Sequence, residues 1–188
     1  MDSPFVVGFI VGFALVLVLL IWTYNRLVRL RNRVQNAWSD VDVQLKRRHD
    51  LVPGLVETVR GYAAHERQTL DAVTSARAQA MAPGAGIGAR AVAELALTGA
   101  VGNLFAVAER YPTLRAAQNF TLLQEQLTST ENRIAFARQF YNESVMQYNT
   151  AIATFPRNLV AGAMGFTRAT LFAAAPGEQA NVTIEVNP

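Results

Sequence analysis

The apolar positions of this chain fall into three patterns. From Ser3 through Asn25 no charged residue occurs, and "PFVVGFIVGFALVLVLLIWTY" is apolar almost without interruption. A run of about 20 such residues, at about 1.5 Å of rise each, matches the roughly 30 Å thickness of a bilayer's hydrocarbon core. It reads as a membrane-spanning helix. After it the pattern becomes helical and amphipathic: Leu27, Leu30, Val34, Ala37, Val41 and Leu45 step by three or four, and beyond Asp50, Pro53 and Gly54 the stripe resumes at Val52, Val56, Val59, Ala63, Leu70 and Val73 to about Ala80. The spacing leaves two readings of "HDLVPGLVETV": a helix that turns back, or one that kinks and continues.

A connector "MAPGAGIGA" follows, and then a shorter helix over about Ala89 to Glu109 with Val92, Leu95, Val101, Leu104 and Phe105 on its apolar side. Its glycines lack the strand and the spacing of a dinucleotide loop, so it reads as a flexible connector. Tyr111-Pro112 ends the helix, because proline donates no backbone hydrogen bond. The third pattern is a heptad repeat held over about five turns of the repeat: Phe120, Leu123, Leu127, Thr130, Ile134, Ala137, Tyr141, Ser144, Tyr148, Ala151 and Phe155. Tyr141-Asn142 and Tyr148-Asn149 place the same pair twice on that seam, with a third copy at Tyr24-Asn25. The seam tyrosines are expected to bury their rings and the asparagines to bond a neighbouring helix, fixing register.

The fold class is therefore all-α: residues 1–24 a single transmembrane anchor, 25–156 an antiparallel four-helix bundle with long coiled-coil-like helices, and 157–188 an amphipathic segment and tail. "NLVAGAMGFTRATLF" either lies on the bilayer surface or caps the bundle end, and "VTIEV" alternates like a short strand.

Charge adds orientation. Residues 23–48 hold seven Lys or Arg (Arg26, Arg29, Arg31, Arg33, Lys46, Arg47, Arg48) and two Asp, 7 − 2 = +5, while residues 49–188 hold ten basic and eleven acidic residues, 10 − 11 = −1. Basic residues follow the span and none precede it, which places the N-terminus outside and the remainder in the cytoplasm. Asp2 at the start and the lack of an Ala-x-Ala site favour an uncleaved anchor over a secretory signal. Trp22 and Tyr24 then sit at head-group level, and Gly8 and Gly12 form a G-x-x-x-G spacing that occurs often by chance in membrane helices. Anionic lipid head groups suit the basic collar; nucleic acid does not, for want of interleaved aromatics.

The chemistry-bearing residues are few. There is no cysteine, which excludes disulfides and thiolate sites, and only His49 and His65 are available as imidazoles. His65-Glu66 lacks the second histidine of a zinc-protease helix, since position 69 is Thr69, and both histidines are expected at the surface or between helices. Asp40 and Asp42 point apart on a helix and are expected to pair with Lys46, Arg47 or a neighbouring helix. Glu131, Arg133, Arg138 and Glu143 are the densest charged set, solvated or bridged through a partner helix. The sequons at Asn142 and Asn181 carry no weight in a cytoplasmic domain. No catalytic, cofactor-binding or metal-ligating residue is assigned.

Four stretches, "YNRLVRLRNRVQNAWSDVDVQLKRRHDLVPGLVETVRGYAAHE", "AVAERYPTLRAAQNF", "TENRIAFARQFYNESVMQYNTAI" and "FPRNLVAGAMGF", resemble the LemA family of bacterial membrane-anchored helical proteins, in order, from about Tyr24 to Phe166. The glycine-rich connector and the tail "APGEQANVTIEVNP" depart from the family pattern. The resemblance implies a cytoplasmic antiparallel four-helix bundle behind one N-terminal membrane span, no established enzymatic activity, a loosely defined envelope-associated role and, from the family's gene neighbours, a pointer to membrane proteins as partners. The expectation is a non-catalytic, self-associating scaffold or regulator, with a membrane-linked signalling or stress-sensing module as the alternative.

Overall fold

The structure is a computed structural model and describes the backbone of residues 3–172 and the side chains of residues 6–172. The expected strand "VTIEV", the tail and the Asn181 sequon lie outside the described residues. Every element among the described residues is a helix: α1 Ser3–Tyr62, α2 Arg67–Ala80, α3 Ile87–Ala108, α4 Pro112–Arg115, α5 Gln118–Ala153 and α6 Arg157–Ala163.

The apolar run and the first amphipathic stripe belong to one helix of 60 residues. Of the two readings of Asp50–Gly54, the continuing helix is the one observed, and the reversal comes later, at Ala63–Glu66. Pro53 cannot donate to the carbonyl four residues back, which leaves the His49 oxygen without its helical partner. Arg77 of α2 supplies one: its Nε donates to that oxygen at 2.7 Å. The stripe expected to run unbroken from Val52 to Ala80 is thus two helices, with Ala63 buried in the turn and the Ala63 oxygen accepting the Glu66 amide at 3.1 Å.

The chain divides into two compact units. The first comprises, of the described residues, 3–39 and 140–169. Residues 6–22 of α1 are exposed throughout, Phe9 at 76% and Leu15 at 65%. Burial begins at Thr23 and Leu27 and continues at Val34 and Ala37. Trp38 against Tyr141 (edge-on, 5.4 Å between centroids) and Arg33 Nη1 donating to Gln147 Oε1 at 3.1 Å set the register of this part of α1 along α5. The heptad seam is buried from Phe120 to Ala151, with Leu123 and Ala137 half-buried; Phe155 lies beyond the helix end and is 75% exposed.

The second unit comprises, of the described residues, 40–139 and 170–172. One hydrophobic cluster joins Val52, Leu55 and Val59 of α1, Leu70 and Val73 of α2, Leu97 and Leu104 of α3, Leu114 of α4, and Phe120 and Leu127 of α5. The connector Met81–Gly86 turns at Gly84, whose φ of +77° suits a residue without a Cβ. Helix α3 is also long and apolar enough to cross a membrane. Its buried stripe, however, is Ala91–Glu94–Leu97–Val101–Leu104, which includes a carboxylate only 4% exposed. Val92, expected in the core, is 68% exposed. That pattern belongs to a core helix of the second unit.

Candidate functional site

Each unit holds one concentration of polar groups. In the second unit it centres on Arg48. On α1 successive residues turn by about 100°, so Lys46 and Arg47 face solvent while Arg48 and His49 turn inward. Arg48 was expected in the lipid-facing collar; it is instead 3% exposed, because a guanidinium is tolerated inside when carboxylates meet it. Its Nη2 pairs with Glu94 Oε2 and reaches the Glu94 carbonyl at 3.2 Å, while its Nη1 donates to Thr98 Oγ1 and to Glu131 Oε2, both at 2.7 Å. His49 Nε2 lies 2.9 Å from the second Glu94 oxygen.

Burial alone would raise the Glu94 pKa. The hydrogen bond from His49 and the charge and hydrogen bond of Arg48 outweigh that and hold the carboxyl below its ordinary value of 4.5. Beside the cluster a cavity of about 250 Å³ is lined by Arg48, Thr98, Val101, Phe105, Leu127 and Glu131. Arg48 Nε and, one turn earlier on α1, Gln44 Oε1 are buried without a protein partner.

His49, expected at the surface or between helices, lies between helices, and Glu131, left as solvated or bridged, is half-exposed and bridged. Glu131 is bridged by Arg48, and Arg133 is exposed. Asp42 pairs with Arg90 of α3 at 2.5 Å, so its partner is the neighbouring helix and not Lys46 or Arg47. Glu66 accepts from Arg110 at 2.9 Å, and His65 beside it is exposed. The residues that sequence reasoning missed are Glu94 and Thr98. A lone acid four residues before a threonine on an otherwise apolar helix was the available signal. No group of three metal-ligating side chains is gathered among the described residues; in this cluster the positive charge between the two carboxylates is the Arg48 guanidinium itself.

In the first unit the polar groups belong to the Tyr-Asn pairs. The Tyr148 hydroxyl donates to the Thr167 carbonyl at 2.9 Å. Asn149 holds Ala169 through both ends of its amide, Nδ2 donating to the carbonyl and Oδ1 accepting from the backbone N–H, each at 2.9 Å. The second pair therefore ties down an extended segment of backbone, where a side chain on a neighbouring helix was expected. The first pair differs: Tyr141 is buried against Trp38, and burial raises the pKa of its phenol. Tyr24 meets Phe166 edge-on at 5.9 Å.

These features define a class: among the described residues, a helical protein whose N-terminal helix carries a long exposed apolar stretch and whose Arg48, His49 and Glu94 are buried together between helices. The chain belongs to the LemA family, whose model matches residues 37–186, a span that takes in the connector and most of the tail, both expected to depart from the family pattern. Among curated relatives, "Magnetosome protein MamQ 2" of Paramagnetospirillum magneticum (strain ATCC 700264 / AMB-1) is 30% identical over 183 residues, covering 84% of this chain and 67% of that protein. "Magnetosome protein MamQ" of Magnetospirillum gryphiswaldense is 29% identical, covering 81% and 65%. "Protein LemA" of Metamycoplasma hominis is 25% identical, covering 95% and 81%. The chain spans about two thirds of the length of the MamQ relatives.

Proposed function

We propose that this protein is a non-catalytic scaffold or regulator of a bacterial inner membrane, anchored by the first part of α1 with the N-terminus outside and the remaining helices in the cytoplasm as an antiparallel four-helix bundle. The observation that carries the reading is α1 itself: one unbroken helix is exposed and apolar over residues 6–22 and, from Leu27 on, supplies the buried stripes of the helical units. A surface so apolar has a natural solvent in lipid.

Residue pairs within the second unit support the alternating helix directions. Asp42–Arg90 and Arg48–Glu94 rise together, as for α1 beside a parallel α3. Arg48 meets Glu131 and Gly54 meets Leu123, so numbers fall on α5 as they rise on α1.

The head-group-facing charges are narrower than the sequence count implied. Arg26 to Arg33 lie within roughly 14 Å of Tyr24 along the helix, whereas Lys46 and Arg47 are more than about 30 Å away at 1.5 Å per residue. Arg26 lies over the Trp22 ring at 5.9 Å, an arrangement suited to the interface. Exposed Val43, Val92, Leu122 and Phe136 offer apolar contacts for self-association or for other membrane proteins. The magnetosome relatives are consistent with a role on a membrane compartment.

Fusions of a periplasm-dependent reporter enzyme test the topology. Activity is expected when the reporter precedes Met1 and not when it follows Pro188; the opposite pattern sinks the orientation. Loss of the protein from the membrane fraction under alkaline carbonate sinks the anchor.

A further inference from the structure

The first unit contains a groove that neither anchoring nor bundle packing requires. It lies between the inner end of the apolar stretch and α6, is about 510 Å³ in volume, and is walled by Leu20, Ile21 and Tyr24 on one side and Leu159, Ala163 and Met164 on the other. Leu159 and Met164 are 64% and 62% exposed. The wall is firmly built although α6 has only seven residues. Gly165, at φ +70°, closes α6 with Phe166 N–H donating to Ala161 and Gly165 N–H to Gly162, the paired bonds of a Schellman cap. Tyr24 against Phe166, Tyr148 on Thr167 and Asn149 on Ala169 then fix the segment that follows.

We propose that this groove binds an acyl chain of an anionic phospholipid of the inner leaflet, with the head group held by the arginines of the same unit. The inference rests on the anchored reading and adds a ligand to it. Three observations select the occupant. The groove is continuous with the exposed apolar surface of residues 6–22, the part assigned to lipid. Its volume falls within the roughly 300–1,000 Å³ range of small-molecule sites. Charge decides between a lipid and a second copy of the chain. Over residues 23–39 and 140–169 this unit carries Arg26, Arg29, Arg31, Arg33, Arg157 and Arg168 against Glu143 alone, 6 − 1 = +5. A second copy seated here would bring the same excess against itself, whereas an anionic head group neutralises it.

The chain has no cysteine, so single cysteines report cleanly. Full-length Leu20→Cys, Leu159→Cys and, as an exposed control on α5, Ser129→Cys are labelled with a fluorophore and reconstituted in vesicles of phosphatidylglycerol and phosphatidylcholine carrying brominated acyl chains. Quenching is expected at Leu20→Cys and Leu159→Cys and not at Ser129→Cys. Native mass spectrometry of the wild type is expected to retain phosphatidylglycerol over phosphatidylcholine, with retention falling several-fold in Ala163→Phe, which fills the groove. An unchanged circular dichroism spectrum shows that variant to be folded, and Arg26→Gln with Arg157→Gln gives a second, surface-only route to the same loss. Quenching at Leu20→Cys without quenching at Leu159→Cys overturns the groove while leaving the anchor standing. Absence of quenching at both removes the anchor and the groove together. Efficient crosslinking of Leu159→Cys between copies, or equal retention of both lipids, also overturns the proposal.

Discussion

Proline at position 53 sits in the interior of a helix that does not stop there, and Arg77 is the compensating element. Replacing Arg77 by alanine strips the His49 carbonyl of its donor, since the backbone N–H that would otherwise reach it does not exist in Pro53. An acceptor left unpaired away from water costs about 1–3 kcal/mol. For a chain of this size that is about 2–4 °C of Tm per kcal/mol. Pro53→Ala restores the N–H, and Pro53 is exposed, so the change opens no hole in the core. In that background Arg77→Ala is expected to cost far less, because the His49 oxygen regains a helical partner. The four proteins of this cycle, full-length in detergent micelles, are compared by thermal unfolding followed at 222 nm. The expected coupling is about 1–2 kcal/mol, within the range of directly interacting residues. Equal costs for Arg77→Ala in the two backgrounds would refute the reasoning: the arginine would then be packing on α2 rather than replacing a missing backbone bond.

Arg48→Met leaves the Glu94 carboxylate buried without its main partner and is expected to cost about 3–5 kcal/mol in the same unfolding assay, while Arg48→Met with Glu94→Leu recovers most of it. Glu131→Gln, at a half-exposed partner, is expected to cost no more than about 1 kcal/mol. Glu94 has a folded-state pKa below its ordinary 4.5, so the unfolded chain binds the proton more readily. The stability this contributes is complete above about pH 4.5 and declines as pH falls through the lower folded value, with Arg48, His49 and Glu131 facing the group; Glu94→Gln should flatten that acid limb of the Tm profile. Asn149→Ala removes both bonds to Ala169 and should speed trypsin cleavage after Arg168, whereas an unchanged rate would mean the segment is held by Tyr148 and Phe166 alone.

The long periodic stretches were legible because burial and hydrogen bonding there act together: the apolar run, the α1 stripe and the α5 seam are helices where the spacing placed them. Three things were not legible. The passage of α1 through Pro53 depends on Arg77, 24 residues further on, and no local signal announces that partnership. The buried face of α3 was misplaced by one residue in its first half, Val92 and Leu95 standing for Ala91 and Glu94, while Val101 and Leu104 are buried as expected. On a helix where nearly every position is apolar, periodicity cannot distinguish Val92 from Ala91, and the residue that fixes the face is Glu94, which a hydrophobic count scores as an outsider. The third is the destination of Asn149. A seam asparagine reads equally well as a partner for a helix or for a returning strand of backbone, and only the closure of Gly165 brings Ala169 within reach.

The Arg48 cluster bears on whether the helical units hold a reaction centre or a register device. A catalytic group needs unused capacity at the moment of reaction: a lone pair or a proton not already committed. Glu94 has one oxygen on Arg48 and the other on His49. Thr98 accepts from Arg48 and lies 3.1 Å from the Glu94 carbonyl. A carboxylate held below its ordinary pKa by neighbouring hydrogen bonds and charge is a poor proton acceptor near neutral pH, opposite in direction to the raised carboxyl of a general acid. The same commitment serves register well. Sliding α1 by one heptad past α3 would set residue 41 or 55, Val41 or Leu55, where Arg48 now meets Glu94, leaving a buried carboxylate facing an aliphatic side chain. At about 3–5 kcal/mol for that mismatch, one ionic contact disfavours the slipped pairing by more than a hundredfold, a discrimination that a stripe of valines and leucines repeating every seven residues cannot supply.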